Sequence, residues 1–149
     1  MYALTFYYNQ KHDIEIEFAN KLALFFKVKD HLEIEIPSNI FKSALINDSN
    51  IKIPKNDLGD GSEIPETYVP ARNIIFLSYA LALAESINAF NIYIGANAVD
   101  YSGYPDCRPE FFNAYTDMAN VGTKAGINGN QINIHTPLID LKKYEILFG

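Results

Sequence analysis

The sequence predicts an α/β fold, a mainly parallel sheet with flanking helices. Three observations carry that prediction. Strand-like and helix-like segments alternate four times along the 149 residues, the pattern of layered α/β folds. The strand-like segments over 3–8 and 91–96 are mostly apolar, as strands covered on both faces are. The composition is globular, 48% hydrophobic and 20% charged, with no internal repeat or low-complexity tract. That length allows one sizeable core in one domain over residues 1–149.

Ala3 to Tyr8 is β-rich and reads as the first strand. From Asp13 to Lys27 the apolar residues Ile14, Phe18, Leu22 and Phe25 recur at spacings of three and four, one face of an amphipathic helix. Leu32 to Ile36 alternates strictly, as a half-exposed strand does, and Pro37 ends it. Pro37 to Thr67 is rich in Asn, Asp, Gly and Pro; it reads as a long loop with at most one short helix near Phe41 to Leu45.

Asn73 to Ala89 is apolar almost all round, which predicts a buried helix. Asn91 to Ala96 predicts a short buried strand, and a Gly- and Pro-marked loop follows from Asn97 to Arg108. Pro109 beside Glu110 suits a helix start, and that helix should stop before Gly122. Gln131 to His135 alternates as a last strand. Asp140 is placed to cap a final helix over Leu141 to Phe148, with Gly149 at its C-cap. The chain opens on a strand and closes on a helix, and reads as cut at both ends.

The formal net charge is −6 and the pI about 4.9. This argues against direct nucleic-acid binding, which masses Lys and Arg on one face. It is compatible with a small anionic ligand held by two or three basic groups. The single cysteine, Cys107, can form neither an intrachain disulfide nor a Cys-rich zinc site by itself. No signal-peptide pattern opens the chain. The longest apolar run, Ile74 to Ala84, is interrupted by Ser78 and is too short to span a bilayer. The expectation is a soluble, cytoplasmic protein with no membrane partner.

In open parallel sheets ligands bind at the carboxyl ends of strands, and three polar clusters fall there: Tyr8 to His12, Asn97 to Glu110, and Thr136-Pro137. A further cluster, Val69-Pro70-Ala71-Arg72-Asn73, precedes the buried helix. Arg72 stands out, because a guanidinium beside helix N–H groups favours phosphate or carboxylate; the other reading is an ion pair that locks the long loop. Asp100, Asp106 and Glu110 could hold Mg²⁺, bond a purine edge, or cap turns and a helix. His12 and His135 are acid–base groups or satisfied structural residues. Lys124, in Gly122-Thr123-Lys124-Ala125-Gly126, lies in a Gly-marked loop where backbone can approach a ligand closely, although spacing alone favours a solvated lysine. That loop lacks the preceding glycines and following Ser/Thr of a Walker loop.

The run Ile94-Gly95-Ala96-Asn97-Ala98-Val99-Asp100-Tyr101-Ser102-Gly103-Tyr104-Pro105-Asp106-Cys107-Arg108-Pro109-Glu110-Phe111 resembles the signature of the 7-cyano-7-deazaguanine synthase family. Tyr68 to Asn73 is similar to that family's VPxRN motif, and Gly122 to Gly126 and Thr136 to Ile139 follow its pattern. Phe6 to His12 resembles its FDYGQRH, with Tyr7, Asn9 and Lys11 as departures. The resemblance runs from end to end and is weakest over Pro37 to Ile64.

The resemblance implies a Rossmann-like fold of the PP-loop ATP pyrophosphatase type, related to the adenine nucleotide alpha hydrolases. It implies conversion of 7-carboxy-7-deazaguanine and ammonia to 7-cyano-7-deazaguanine with ATP, in queuosine biosynthesis. The substrate carboxylate would be adenylated, ammonia would give the amide, and a second activation would allow dehydration to the nitrile. Mg²⁺ accompanies the nucleotide, and the family carries a structural zinc. The binding residues it implies are Gln10, His12, Arg72, Asn73, Asn97, Asp100, Tyr101, Ser102, Asp106, Arg108, Glu110 and Lys124. It assigns no acid or base.

Two family features are absent from these residues: the SGGxDS phosphate loop after the first strand and the cysteine cluster that binds zinc. The chain reads as beginning at the family's second strand and stopping before the zinc region. The two functional expectations are therefore a synthase, completed by further sequence or a complementing chain, and a non-catalytic or split remnant that at most binds ligand. A homodimer is compatible with either.

Overall fold

The structure, a computed structural model, describes residues 1–8, 14–37, 41, 64, 68–99 and 103–148. Parallel strands with flanking helices make it α/β, as the alternating pattern predicts. It divides into two compact units, residues 1–55 with 66–70 and residues 56–65 with 71–149.

In the first unit, β1 (Tyr2–Tyr7) runs parallel to β2 (Asp30–Glu35), in register from Tyr2 opposite Asp30 to Tyr7 opposite Glu35, with α1 (Ile14–Phe25) between them in sequence. The Thr5 hydroxyl and His31 Nε2 lie 2.8 Å apart across the pair. Tyr8 is buried edge-on to Phe41, ring centroids 5.5 Å apart. Two expectations are corrected here. Every residue of β1 is half-buried, not covered on both faces. The face of α1 predicted to pack inward is exposed, from 54% at Phe18 to 76% at Phe25. Among the described residues this sheet has two strands. The helix turns another face to the strands: Ile16, Ala19, Asn20 and Ala23 are its less exposed positions, and Asn20 Nδ2 donates to Glu33 of β2 at 2.8 Å.

The second unit holds α2 (Arg72–Ser86), β3 (Asn91–Tyr93), a 3₁₀ turn (Pro105–Cys107), α3 (Pro109–Gly122), α4 (Lys124–Ile127), β4 (Asn133–His135) and α5 (Lys143–Phe148). β3 and β4 pair in parallel, Ile92 opposite Ile134. Leu77, Leu81 and Ala84 of α2 meet Ile92, Ala96, Ile132 and the inner face of α3, Phe112, Tyr115 and Ala119. Those α3 positions are three and four apart, and Pro109 stands at the first turn as expected.

Four expectations are corrected in this unit. α2 buries one face only, Asn73, Leu77, Leu81 and Ala84, and leaves Ile74 and Tyr79 exposed. β3 buries Ile92, whereas Tyr93 is 69% exposed and stacks on His135 at 4.4 Å. α3 includes Gly122 instead of stopping before it. The last helix starts at Lys143, and its cap is Glu145, whose carboxylate accepts the Lys142 N–H at 2.7 Å. Asp140 falls instead in the turn before it, where Ile139 N–H bonds to Thr136 and Leu141 N–H to Leu138. No helix among the described residues is long and apolar enough to cross a membrane.

Candidate functional site

The site grows from the start of α2. Its N-cap residue, Ala71, sits in the left-handed region, φ 56° and ψ 22°, and offers no side-chain acceptor. The acceptor comes from the 3₁₀ turn. Asp106 Oδ2 takes the Asn73 N–H at 2.9 Å, a carboxylate in the place a cap would fill. The Asn73 side chain returns the contact, its Nδ2 donating to the Asp106 carbonyl at 2.8 Å and to Cys107 Sγ at 3.4 Å. Asn73, Asp106 and Cys107 are all buried. Burial pushes the Cys107 thiol up from its ordinary value, and the Asp106 charge adds to that. The Arg72 guanidinium and the Asn73 amide oppose the rise. A guanidinium at a helix start is chemically suited to pair with an anion, and burial keeps the Cys107 thiol protonated and unreactive.

Arg108 follows directly. It is exposed, and its carbonyl receives the Phe111 and Phe112 N–H groups that begin α3. Glu110, also exposed, lies in that first turn, where a carboxylate suits the helix dipole. Asn97 is elsewhere. It is buried, and its Nδ2 bonds to the Leu138 carbonyl at 3.3 Å and to that of Leu141, fastening the segment after β3 to the segment after β4.

Lys124 is exposed at the first residue of α4. The Gly-marked stretch around it is a helix junction, with Thr123 Oγ1 accepting the Gly126 N–H at 3.1 Å. The close approach at Gly126 is to the chain's own backbone: an added Cβ would lie 2.6 Å from Asn120 Cα. The Ala125 N–H bonds to Glu85, near the C-terminal end of α2. Arg72 is at the other end, so α2 spaces it from this junction by about 20 Å. The structure thus gathers Arg72, Asn73 and Asp106, with Arg108 close behind in the chain, and sets Lys124 apart from them.

Gln10, His12, Asp100, Tyr101 and Ser102 lie outside the described residues. Among the described residues no group of three or more His, Cys, Asp or Glu could hold a metal ion. Two organising residues, Glu85 and Asn120, were not singled out from the sequence, where neither stands in a recognisable motif. Asn120 Nδ2 donates to the Thr116 and Ile132 carbonyls, and its Oδ1 accepts the Ile132 N–H at 2.8 Å.

The family model for the queuosine biosynthesis protein QueC matches residues 1–148. A 7-cyano-7-deazaguanine synthase of Citrifermentans bemidjiense is 54% identical over 146 residues, covering 98% of this chain and 64% of that protein. Those of Acetivibrio thermocellus and Paramagnetospirillum magneticum are 52% and 48% identical over 147 residues. The chain spans 64% of the length of each of these relatives.

Proposed function

The chain belongs to the queuosine biosynthesis protein QueC family, and from that premise we propose that it serves a 7-cyano-7-deazaguanine synthase. The reaction is ATP-dependent conversion of 7-carboxy-7-deazaguanine and ammonia to the 7-cyano compound. The observation that carries this reading is the run from Ile94 to Phe111, embedded in a likeness that extends over residues 1–148. That extent also supports reading 1–149 as one partial domain, and the biosynthetic role supports a cytoplasmic location.

Arg72 and Arg108 are the groups we assign to the substrate carboxylate or a nucleotide phosphate, since a guanidinium pairs two oxygens of one anion at once. Gln10, His12, Asp100, Tyr101 and Ser102 belong to the same proposal by likeness of motif; Lys124, far from Arg72 along α2, is assigned by motif alone to a different part of the ligand. Asn73 and Asp106 brace the start of α2 beside Arg72 in the chain, Asn97 fastens the segment after β3 to the segment after β4, and Glu110 sits in the first turn of α3. A structural zinc does not fit the residues present: the chain has one cysteine, buried against Asn73. Nor do the described carboxylates form a Mg²⁺ site, because Asp106 is committed to Asn73 and Glu110 is exposed. Mg²⁺ enters only as the companion of the ATP phosphates.

The test is to incubate the chain with ATP, ammonia and 7-carboxy-7-deazaguanine, with and without a segment bearing an SGGxDS loop, and to look for nitrile by mass spectrometry. Nitrile in either mixture supports the synthase. Nitrile only in the second makes the chain one part of a split enzyme. Binding without nitrile in both leaves a ligand-binding remnant. The native mass adds a check, since a value well above 16.8 kDa places these residues within a longer synthase.

A further inference from the structure

We propose that Asp106 and Asn73 are a positioning pair for Arg72, and that neither contacts the ligand. The inference rests on the reading above only in giving Arg72 an anion to hold. Three facts carry it. α2 starts from a residue that cannot cap it, Ala71, in a left-handed conformation that costs a non-glycine residue about 1–2 kcal/mol. A carboxylate 33 positions away in sequence supplies the missing acceptor at Asn73, and the Asn73 amide closes the contact with two further bonds to the same turn. All three residues of the knot are buried, Asp106 to 4% exposure.

Arg72 lies between the strained cap and the knotted residue, so its backbone is fixed from both sides. A long flexible side chain loses less freedom on binding when its root is already placed. The knot has a second effect. The Asn73 N–H, which a helix start would otherwise present to an incoming anion, already holds Asp106. An anion at this end of α2 is therefore held by the guanidinium and not by that amide.

The experiment measures binding of 7-carboxy-7-deazaguanine to the full chain by calorimetry for Arg72→Ala, Asp106→Ala, the double variant and Asp106→Asn. Asp106→Ala should weaken binding about fivefold to tenfold, the value of a lost cap, and should add nothing once Arg72 is alanine. Asp106→Asn, whose amide oxygen still accepts from Asn73, should restore affinity to within about threefold. Equal losses from Asp106→Ala with and without Arg72 overturn the pair, because Asp106 then acts independently. So does a full loss in Asp106→Asn at unchanged melting temperature, which would mean direct contact.

A second measurement is independent of the ligand: amide hydrogen exchange at Asn73, whose N–H Asp106 accepts, should quicken in Asp106→Ala and stay protected in Asp106→Asn. Unchanged protection in both overturns the proposal. Should Asp106→Ala not fold, Asn73→Ala replaces it, since it keeps the backbone N–H and removes the two side-chain bonds. If the unmodified chain fails to bind the acid, the functional reading falls while the exchange result still decides the positioning pair.

Discussion

Asn120 spends both N–H groups and its oxygen on backbone, and Ile132, whose N–H and carbonyl it satisfies, is fully buried. Asn120→Ala strands that donor and acceptor, and should cost about 2–3 kcal/mol in urea unfolding. A cost under about 0.5 kcal/mol would show that water replaces the amide. Two ionisable groups of the unit are also shaped by burial. Desolvation raises the Cys107 thiol, and it raises the Tyr115 hydroxyl against an opposing bond from Ser78. Both groups are neutral when protonated, so the folded state holds its protons to higher pH than the unfolded chain does. Their stabilisation is whole below the unfolded values, near 9.0 and 10.0, and is lost as pH rises through the folded ones. The urea midpoint should fall from about pH 9 upward, and less steeply in Cys107→Ala. A flat profile there would contradict the burial.

At the level of elements, α2 shows how a helix apolar all round divides its faces. Leu77 is 1% exposed in the core and Ile74 is 42% exposed on the far side. Leu77→Ala should cost about 3 kcal/mol and Ile74→Ala under about 0.5, both read from thermal unfolding. Similar losses would mean that the outer face is also packed. The α3–α4 junction gives the sharper case. Gly126 has no room for a methyl group against Asn120 backbone, and a rigid backbone cannot move aside as a side chain can. Gly126→Ala should destabilise by about 3 kcal/mol or more, whereas Gly122→Ala meets only Met118 sulfur at 3.6 Å and should fold normally.

For the molecule as a whole, surface chemistry is the dominant concern. Phe18, Leu22, Phe25 and Phe26 are each more than half exposed, and apolar patches of that kind drive association or cover a partner surface. The isolated chain should bind a hydrophobic dye and self-associate at high concentration, and Phe25→Ser with Phe26→Ser should reduce both. Unchanged light scattering in that variant would show that α1 is not responsible. The proposed function is tested at this scale through Arg72. Arg72→Ala should weaken an anionic ligand at least about tenfold, measured by calorimetry, while Lys52→Ala should leave affinity within about twofold; equal effects would remove Arg72 from the site.

The α/β class, the parallel strands, the helix from Pro109 and the family itself were legible from residue order, because periodicity, turn chemistry and a long specific motif are local properties. Which faces are covered was not. The exposed side of α1, the single buried face of α2 and the lone buried residue of β3 depend on what packs against each element, and periodicity reports a face without its partner. The site divides the same way. Arg72 could be singled out from its neighbours, but that Asp106 caps the helix beside it depends on a bond across 33 positions. The reach of Lys124 was likewise decided by the length of α2. Sequence fixes which groups are available, and only the folded chain decides which of them are already satisfied by one another, because a buried polar atom takes whatever partner the packing brings to it.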